Sequence, residues 1–222
     1  MKINELIDVV IISMDFIESN KAAFFDQMQD KIRDLDVSVL VNNVGVLYSK
    51  DPLQLSAKEI RDTIVVNCCS QVGMDKLLIP KMQKRPFRSA VIDLSSIVSM
   101  TPMYLHGVYG ATKCINEYIC QGLSSYIKNV DFLCVNPGLV STNMTQNRPA
   151  DKGNGPSRSV SVNECVDGIF NSLGSIPKTN GAFFHQAVLS IVVAVTSLIP
   201  TDLRTVFKHL KTTTSIDNFL KF

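Results

Sequence analysis

The sequence predicts an α/β protein in which helices flank a parallel β-sheet. Continuous β-branched runs, VVIISM at 9–14 and VSVLV at 37–41, are typical of strands that are covered on both faces. Amphipathic segments alternate with these runs, and this alternation favours parallel strands joined by right-handed crossovers. Polar clusters follow the strands, which places them together at the carboxyl edge of the predicted sheet.

Composition limits the class of protein further. The chain has 222 residues, 45% of them hydrophobic and 19% charged, with a formal net charge of +2. This length fits one large domain, or one domain with a short appendage, and the hydrophobic fraction argues against disorder. A charge so close to neutral gives no footprint for nucleic acid, so no nucleic-acid partner is expected.

The first half of the chain alternates strand and helix. After the strand at 9–14, the spacing of Phe24, Met28 and Ile32 predicts a helix over 20–34, with Asn20 as its N-cap. The strand at 37–41 ends abruptly at the Asn42-Asn43-Val44-Gly45 turn. A long helical stretch over 56–83 then begins with Ser56 and Glu59, which match a capping box.

The second half continues the same alternation. SAVIDLSS at 89–96 and DFLCVNP at 131–137 are predicted strands, and a helix is predicted between them over 109–127. A last helix is predicted over 162–173. Its predicted apolar face consists of Val162, Val166, Ile169 and Leu173.

The cysteines indicate free thiols. None of the six forms a CxxC pair, and no two histidines have ligand spacing, so a structural zinc site is not expected. Most of these cysteines lie in apolar runs, where a free cysteine packs as a small hydrophobic residue. We expect reduced thiols in a cytosolic environment.

The C-terminal part of the chain is unusually apolar. No Asp, Glu, Lys or Arg occurs from Thr179 to Thr201, and residues 187–200 read AVLSIVVAVTSLIP. The segment reaches the length of a membrane-spanning helix only if several polar residues are counted. A membrane-embedded helix and a buried or dimer-interface helix are both consistent with it. We therefore divide the chain into a domain over 1–180 and an apolar tail over 181–222, with membrane contact through 181–200 as one alternative.

Candidate catalytic residues lie at the predicted carboxyl edge of the sheet. Tyr109 and Lys113 stand one helical turn apart on the same face, and a cation close to a phenol stabilises the phenolate. Ser96 ends a strand thirteen residues before Tyr109, where its hydroxyl could hold a substrate carbonyl. The alternative for Ser95 and Ser96 is an ordinary turn at the end of a strand.

This set of motifs resembles the short-chain dehydrogenase/reductase family. The residues that carry the resemblance are Asn42-Asn43-Val44-Gly45, Asn67, Ser96, Tyr109-x-x-x-Lys113 and Pro137-Gly138, in the family's order and at its intervals. LVNNVG, the segment around Tyr109 and the Lys178-Thr179-Asn180-Gly181 stretch are similar to the branch of very-long-chain 3-oxoacyl-CoA reductases and type-12 17β-hydroxysteroid dehydrogenases. The resemblance implies a Rossmann-like fold.

The resemblance also implies a function. It implies hydride transfer between NADP(H) and a keto or hydroxyl group of a lipid-like substrate, at the cytosolic face of the endoplasmic reticulum membrane, with homodimerisation as a further expectation. A cytoplasmic location is the alternative if the tail contacts no membrane. The implied catalytic residues are Tyr109 as acid and base, Lys113, Ser96, and Asn67 holding a water. The implied cofactor-binding residues are Asp15, Asn42, Asn43, Val44, Gly45, Tyr109, Lys113, Pro137, Gly138, Val140 and Thr142, and no metal is implied.

The sequence departs from the family at its beginning. The family opens with a strand, a glycine-rich TGxxxGxG turn, a helix and a second strand, whereas the first glycine here is Gly45. We therefore expect a Rossmann-like sheet that lacks the first βαβ unit and leaves VSVLV at an open edge. VVIISM should either move beside VSVLV or dock poorly. The alternative function is a catalytically impaired, truncated family member that binds no cofactor.

Overall fold

A computed structural model describes residues 7–100, 103–145, 159–187 and 190 of the chain. Its four described strands form one parallel sheet in the order β1-β2-β3-β4. The strands are β1 (Val39–Asn42), β2 (Ser89–Leu94), β3 (Val130–Val135) and β4 (Lys178–Thr179). The helices are α1 (Ala22–Lys31), α2 (Ala57–Ile64), α3 (Ser70–Met82), α4 (Gly107–Tyr126) and α5 (Val162–Ser172). The predicted α/β class with a Rossmann-like parallel sheet is confirmed.

Helices cover both faces of the sheet. On one face, Leu40, Val91 and Phe132 form a buried core with residues of α1, α3 and α4. On the other face, Ile92 and Leu133 pack with residues of α5. Residues that alternate along β2 thus face opposite layers, as expected for a strand covered on both sides.

The register of the strands brings their carboxyl ends to one edge. Asn42 of β1 lies opposite Asp93 of β2, and Leu94 of β2 lies opposite Val135 of β3. Val135 in turn lies opposite Thr179 of β4. The turns that follow the strands therefore meet at this edge, where the sequence predicts the site.

The first predicted strand is wrong. Residues 9–14 form no strand, and Ile11 is 87% exposed, although Ile12 and Met14 pack partly against the core. This outcome matches the expectation that the segment docks poorly. Within the described residues β1 pairs with β2 alone, and Val41 on this open edge is 52% exposed.

One of the two predicted helix N-caps is present in the structure. The capping box is confirmed, because the Ser56 hydroxyl accepts from the Glu59 N–H while the Glu59 carboxylate accepts from the Ser56 N–H. The Asn20 cap is wrong: α1 begins after Lys21, whose side chain makes no capping bond. The buried positions Phe24, Met28 and Ile32 are as predicted.

The predicted face of α5 is wrong in part. Val162 is 47% exposed and Val166 is also exposed, whereas Cys165 and Ile169 are buried. The physical reason is the close approach of α5 to the Gly181 turn. A Cβ on Gly181 would lie 2.7 Å from Cys165 Sγ, so this contact turns Cys165 inward.

The long predicted helix over 56–83 contains a π-helical turn. α2 and α3 are joined by five residues, Val65–Cys69, where the Ser70 N–H bonds to the Val65 carbonyl five residues back. The Ser19 hydroxyl donates to the same carbonyl over 3.1 Å. Such π turns are frequent at functional sites, and this one carries Asn67.

Most of the apolar tail lies outside the described residues. This applies to positions 188–189 and 191–222, so the alternatives for residues 181–200 stay open. Within the described part of the chain, no helix has the length and apolar character needed to cross a bilayer. Ala182 and Phe184 pack in the core beside α5. All six cysteines are free thiols.

Candidate active site

Tyr109 and Lys113 lie together near the start of α4. Lys113 is 4% exposed, and its Nζ donates to the carbonyl of Leu94, the last residue of β2, over 2.6 Å. The same ammonium lies 5.7 Å from the centroid of the Tyr109 ring. The fold thus places a buried cation beside the phenol, as the sequence predicts.

Burial controls the charge of Lys113. Loss of solvation lowers its pKa to about 8, although the negative charge of Asp93 opposes this shift. Since the lowered value still lies above neutral pH, Lys113 is mostly protonated there. The positive charge beside Tyr109 is consequently retained under physiological conditions.

Asn67 connects the Asn42–Gly45 turn to α4. Its Oδ1 accepts from the Val46 N–H over 2.8 Å, and its Nδ2 donates to the Val46 carbonyl and to Thr112 Oγ1, both over 3.0 Å. A Cβ on Gly45 would lie 3.4 Å from Asn67 Oδ1 and 3.7 Å from Lys113 Nζ. The turn, the π-helical Asn67 and Lys113 are therefore contiguous.

Ser96 lies two residues after the end of β2 and caps a short turn. Its Oγ accepts from the Val98 N–H over 3.4 Å, which begins the short 3₁₀ turn Ile97–Ser99. α4 passes close to this turn, since a Cβ on Gly110 would lie 3.1 Å from the Val98 carbonyl oxygen. Ser96 can therefore both cap a turn at the end of the strand and lie near the helix that carries Tyr109.

The segment after β3 completes the edge. The Pro137 carbonyl accepts from the Ile97 N–H over 3.1 Å, which ties this segment to the Ser96 turn. The Gly138 N–H donates to His185 Nδ1 over 3.2 Å. Val140 forms a parallel bridge with Val160, and the Thr142 N–H donates to Thr145 Oγ1 over 3.0 Å.

The hydrogen bonds of Asp15 and Asn42 connect them to residues other than Tyr109 and Lys113. Asp15 is exposed and caps its own 3₁₀ turn by accepting from the Ile17 N–H over 3.0 Å. Its neighbour Phe16 lines a cavity of about 80 Å³ together with Asn42, Asn43 and Val44. The Asn42 amide points into the protein and donates to Asp75 and Asp93.

Sequence reasoning missed one group of polar residues. Glu117, two helical turns after Tyr109 on α4, accepts from Ser99 Oγ and Asn136 Nδ2, both over 2.7 Å, and pairs with Lys178 of β4. Asn136 is fully buried and also reaches the Ser96 carbonyl over 3.2 Å. Its place at the end of β3 was visible in the sequence, but its partners were not.

Burial raises the pKa of Glu117, but its partners reverse that effect. The Lys178 ammonium and the donors from Ser99 and Asn136 leave the pKa of Glu117 below its ordinary value. Glu117 is therefore ionised at neutral pH. It joins α4, the Ser96 turn, β3 and β4, which are the elements that carry most of the candidate site.

A parallel sheet with polar turns at its carboxyl edge is the architecture of Rossmann-type α/β proteins. The family model described as short chain dehydrogenase matches residues 2–153 of this sequence. The chain belongs to the short-chain dehydrogenase family, and the predicted resemblance is confirmed.

The curated relatives agree with the predicted branch. The chain is 32% identical over 194 residues to the 17-beta-hydroxysteroid dehydrogenase type 3 of Danio rerio, covering 84% of this chain and 60% of that protein. It is 31% identical over 143 residues to the very-long-chain 3-oxoacyl-CoA reductase of Coccidioides immitis, covering 63% and 40%. The chain thus spans between 40% and 60% of the length of these relatives.

Solved structures share the fold. A short-chain dehydrogenase from Burkholderia cenocepacia J2315 in complex with NADP has a TM-score of 0.67 at 20% identity, covering 84% of this chain and 75% of that one. A short-chain dehydrogenase from Sphingobium yanoikuyae in complex with NADPH has a TM-score of 0.62 at 21% identity, covering 71% and 61%. Both comparisons support the Rossmann-like sheet.

Proposed function

We propose that this chain carries the catalytic part of an NADP(H)-dependent oxidoreductase that interconverts a keto and a hydroxyl group on a lipid-like substrate. The observation that carries the proposal is the buried Lys113 ammonium beside the Tyr109 ring at the carboxyl edge of the sheet. The substrate is a 3-oxoacyl-CoA or a steroid, because the relatives are named as very-long-chain 3-oxoacyl-CoA reductases and a 17-beta-hydroxysteroid dehydrogenase.

By the resemblance, the Asn42–Gly45 turn borders the adenosine half of the cofactor, and Lys113 beside Gly45 belongs to its nicotinamide end. The position where Gly45 lacks a side chain opens toward Asn67 Oδ1 and Lys113 Nζ, at 3.4 and 3.7 Å from an ideal Cβ. A side chain at this position would contact both groups. Lys113, Tyr109 and the segment from Pro137 to Thr142 would hold that end, and the bound cofactor supplies or accepts the hydride.

The side chains of this chain would handle the proton and the carbonyl. Tyr109 gives a proton to the substrate oxygen during reduction and takes it back during oxidation. The Lys113 ammonium stabilises the phenolate that forms, and the Ser96 hydroxyl donates a hydrogen bond to the same oxygen. Asn67 fixes the Asn42–Gly45 turn through Val46, while its part in holding a water rests on the resemblance alone.

The proposal also covers where the protein acts. The resemblance to the reductase branch supports the cytosolic face of the endoplasmic reticulum membrane, with the segment 181–200 in contact with lipid. It also supports a homodimer. A flotation assay with liposomes of the full chain and of a variant lacking residues 191–222 tests the membrane part, since loss of binding in the variant is expected.

Calorimetric titration with NADPH and NADH tests the main proposal. We expect micromolar NADPH binding that Lys113→Ala weakens at least tenfold, because the change removes a cation from the cofactor edge. Tyr109→Phe should retain binding but lower turnover of 3-oxoacyl-CoA and keto-steroid substrates by about 10²–10⁴-fold. Matched controls are Lys128→Ala and Tyr118→Phe, whose side chains are exposed, and both should leave binding unchanged.

One observation favours a second candidate function. The first glycine of the sequence is Gly45, so these residues include no glycine-rich turn of the kind that holds a pyrophosphate at a helix N-terminus. The second candidate is that these residues by themselves bind no cofactor and give no turnover. A folded sample that binds neither NADPH nor NADH would favour it and would contradict the first proposal.

A further inference from the structure

Two buried carboxyl groups meet beneath the Asn42–Gly45 turn. Asp93 of β2 is 0% exposed and Asp75 of α3 is 4% exposed. The two N–H groups of one amide hold them, because Asn42 Nδ2 lies 2.8 Å from Asp75 Oδ1 and 2.7 Å from Asp93 Oδ1. Among the described residues, Oδ2 of each carboxyl has no hydrogen-bond donor at bonding distance.

Every element packed around the pair contributes to its electrostatics. Burial is the main cause that raises the pKa of both carboxyls, and the charge of Asp93 raises that of Asp75 further. The Asn42 amide of β1 opposes the shift at both carboxyls, and Gln71 of α3 opposes it further at Asp75. From α4, the Cys120 thiol and the Lys113 ammonium oppose it at Asp93, without cancelling the effect of burial.

Full ionisation of both groups is costly in this environment. Two like charges that share one amide repel each other in a medium of low polarity, and each would have an unsatisfied oxygen. The Lys113 ammonium, which acts on Asp93 through its charge, has another hydrogen-bond partner, because its Nζ donates to the Leu94 carbonyl. A proton on one carboxyl removes one of the two charges, so it lowers this cost.

We propose that Asp75, Asp93 and Asn42 form a proton-dependent clamp, in which one carboxyl keeps its proton in the folded protein near neutral pH. Loss of this proton loosens the end of β1 and the Asn42–Gly45 turn that follows it. The clamp does not depend on the proposed catalytic function. It makes the order of this turn sensitive to pH.

The sign of the pH effect follows from linkage. The folded protein binds a proton that the unfolded chain, with ordinary carboxyls, has already lost. Stability is therefore highest in mildly acidic solution and falls as the pH rises through the raised values. Acidic groups that are ion-paired have the opposite behaviour, which gives the experiment its contrast.

Infrared titration of the full chain tests the clamp directly. A protonated carboxyl has a carbonyl stretching band that a carboxylate lacks, and we expect this band to persist to about pH 6 and to disappear by about pH 8. Asp93→Asn and Asp75→Asn should each move the loss of this band to lower pH, and the double variant should abolish the persistent band. If the band disappears together with the ordinary carboxyls, near pH 4, the proposal is overturned.

Urea denaturation provides a second and independent measurement. The wild-type midpoint should fall between about pH 5 and pH 8, and in Asp93→Asn the fall should shrink by at least half. Asp62→Asn is the matched control, since Asp62 is buried but paired with Lys58 and Arg61, which lower its pKa. That variant should lose stability near neutral pH. A midpoint of the wild-type protein that does not change over this range would contradict the clamp, and the infrared titration decides if a variant fails to fold.

Discussion

Buried polar side chains, more than apolar ones, join the parts of the candidate site. Asn67 is 1% exposed and uses its amide to hold both backbone groups of Val46 and the hydroxyl of Thr112. Glu117 likewise holds Ser99, Asn136 and Lys178. A short polar side chain that bonds to two elements fixes their distance, and apolar packing alone fixes it less well.

Asn67→Ala tests this role. The variant leaves the N–H and carbonyl of Val46 without their partner, so we expect a loss of about 2 kcal/mol in the free energy of unfolding. Urea denaturation measures this loss. Asn171→Ala on the exposed side of α5 serves as the control and should change stability by less than about 0.5 kcal/mol. Equal effects of the two substitutions would contradict a special role for Asn67.

The sequence predicted the residues at this scale when the signal was local. Tyr109 and Lys113 share a helix face, so their spacing alone places them together. The partners of Asn136 and Asn42 could not be predicted, because Glu117 and Ser99, and likewise Asp75 and Asp93, come from elements that only the tertiary fold brings together. A single sequence contains no record of such distant pairs.

At the scale of elements, glycines determine how closely the helices approach other parts of the backbone. A Cβ on Gly168 of α5 would lie 1.6 Å from the Gly181 carbonyl oxygen. Gly181 itself has a φ of 75°, in the left-handed region that favours glycine. This contact explains why the spacing of apolar residues predicted the wrong face of α5. The spacing places Val162 and Val166 on the buried face, whereas the helix packs against the Gly181 turn with small residues such as Gly168.

Two glycine-to-alanine substitutions provide a matched test of this contact. Gly168→Ala should destabilise the protein by about 3 kcal/mol or more, because the atom it meets is backbone and the helix must move away. Gly122→Ala on α4 has nothing within 4 Å of the added Cβ and should stabilise by about 0.5–1 kcal/mol through helix propensity. Thermal unfolding of both variants measures the difference. A neutral result for Gly168→Ala would show that α5 is not held by this turn.

At the scale of the whole molecule, the sheet formed by the described residues is covered on both faces and has β1 as an open edge. The sequence predicted this edge from its departure from the family pattern. For residues 9–14 it left two alternatives, a place beside β1 or poor docking, and the structure agrees with the second. It could not predict their coil conformation, because a β-branched run forms a strand only when a neighbouring strand supplies the hydrogen bonds. The β-branched residues of 9–14 have a high propensity for strands, but in the structure this segment pairs with none of the described strands.

Val41→Lys tests the consequence of the open edge. Lysine on an edge strand opposes pairing with another molecule, so we expect lower light scattering at equal protein concentration. Unfolding free energy should change by less than about 1 kcal/mol, since Val41 is already half exposed. Leu53→Lys is the control, because Leu53 is highly exposed but lies in a 3₁₀ turn away from the sheet edge. If both variants reduced light scattering equally, self-association would come from exposed apolar surface in general and not from the open edge of β1.

The π-helical turn at Val65–Cys69 also limits which deletions the fold tolerates. Each residue of an α-helix rotates the chain by about 100° around the helix axis. The wider π turn therefore sets the rotation of α2 relative to α3, and with it the side chains that each helix buries. Deleting one codon within this turn would restore a regular helix and rotate α2 by about 100° relative to α3. Asp62 and Thr63, which are now buried, would then face another direction. We therefore expect a single deletion within this turn to be tolerated less well than a conservative substitution at any of its positions other than Asn67.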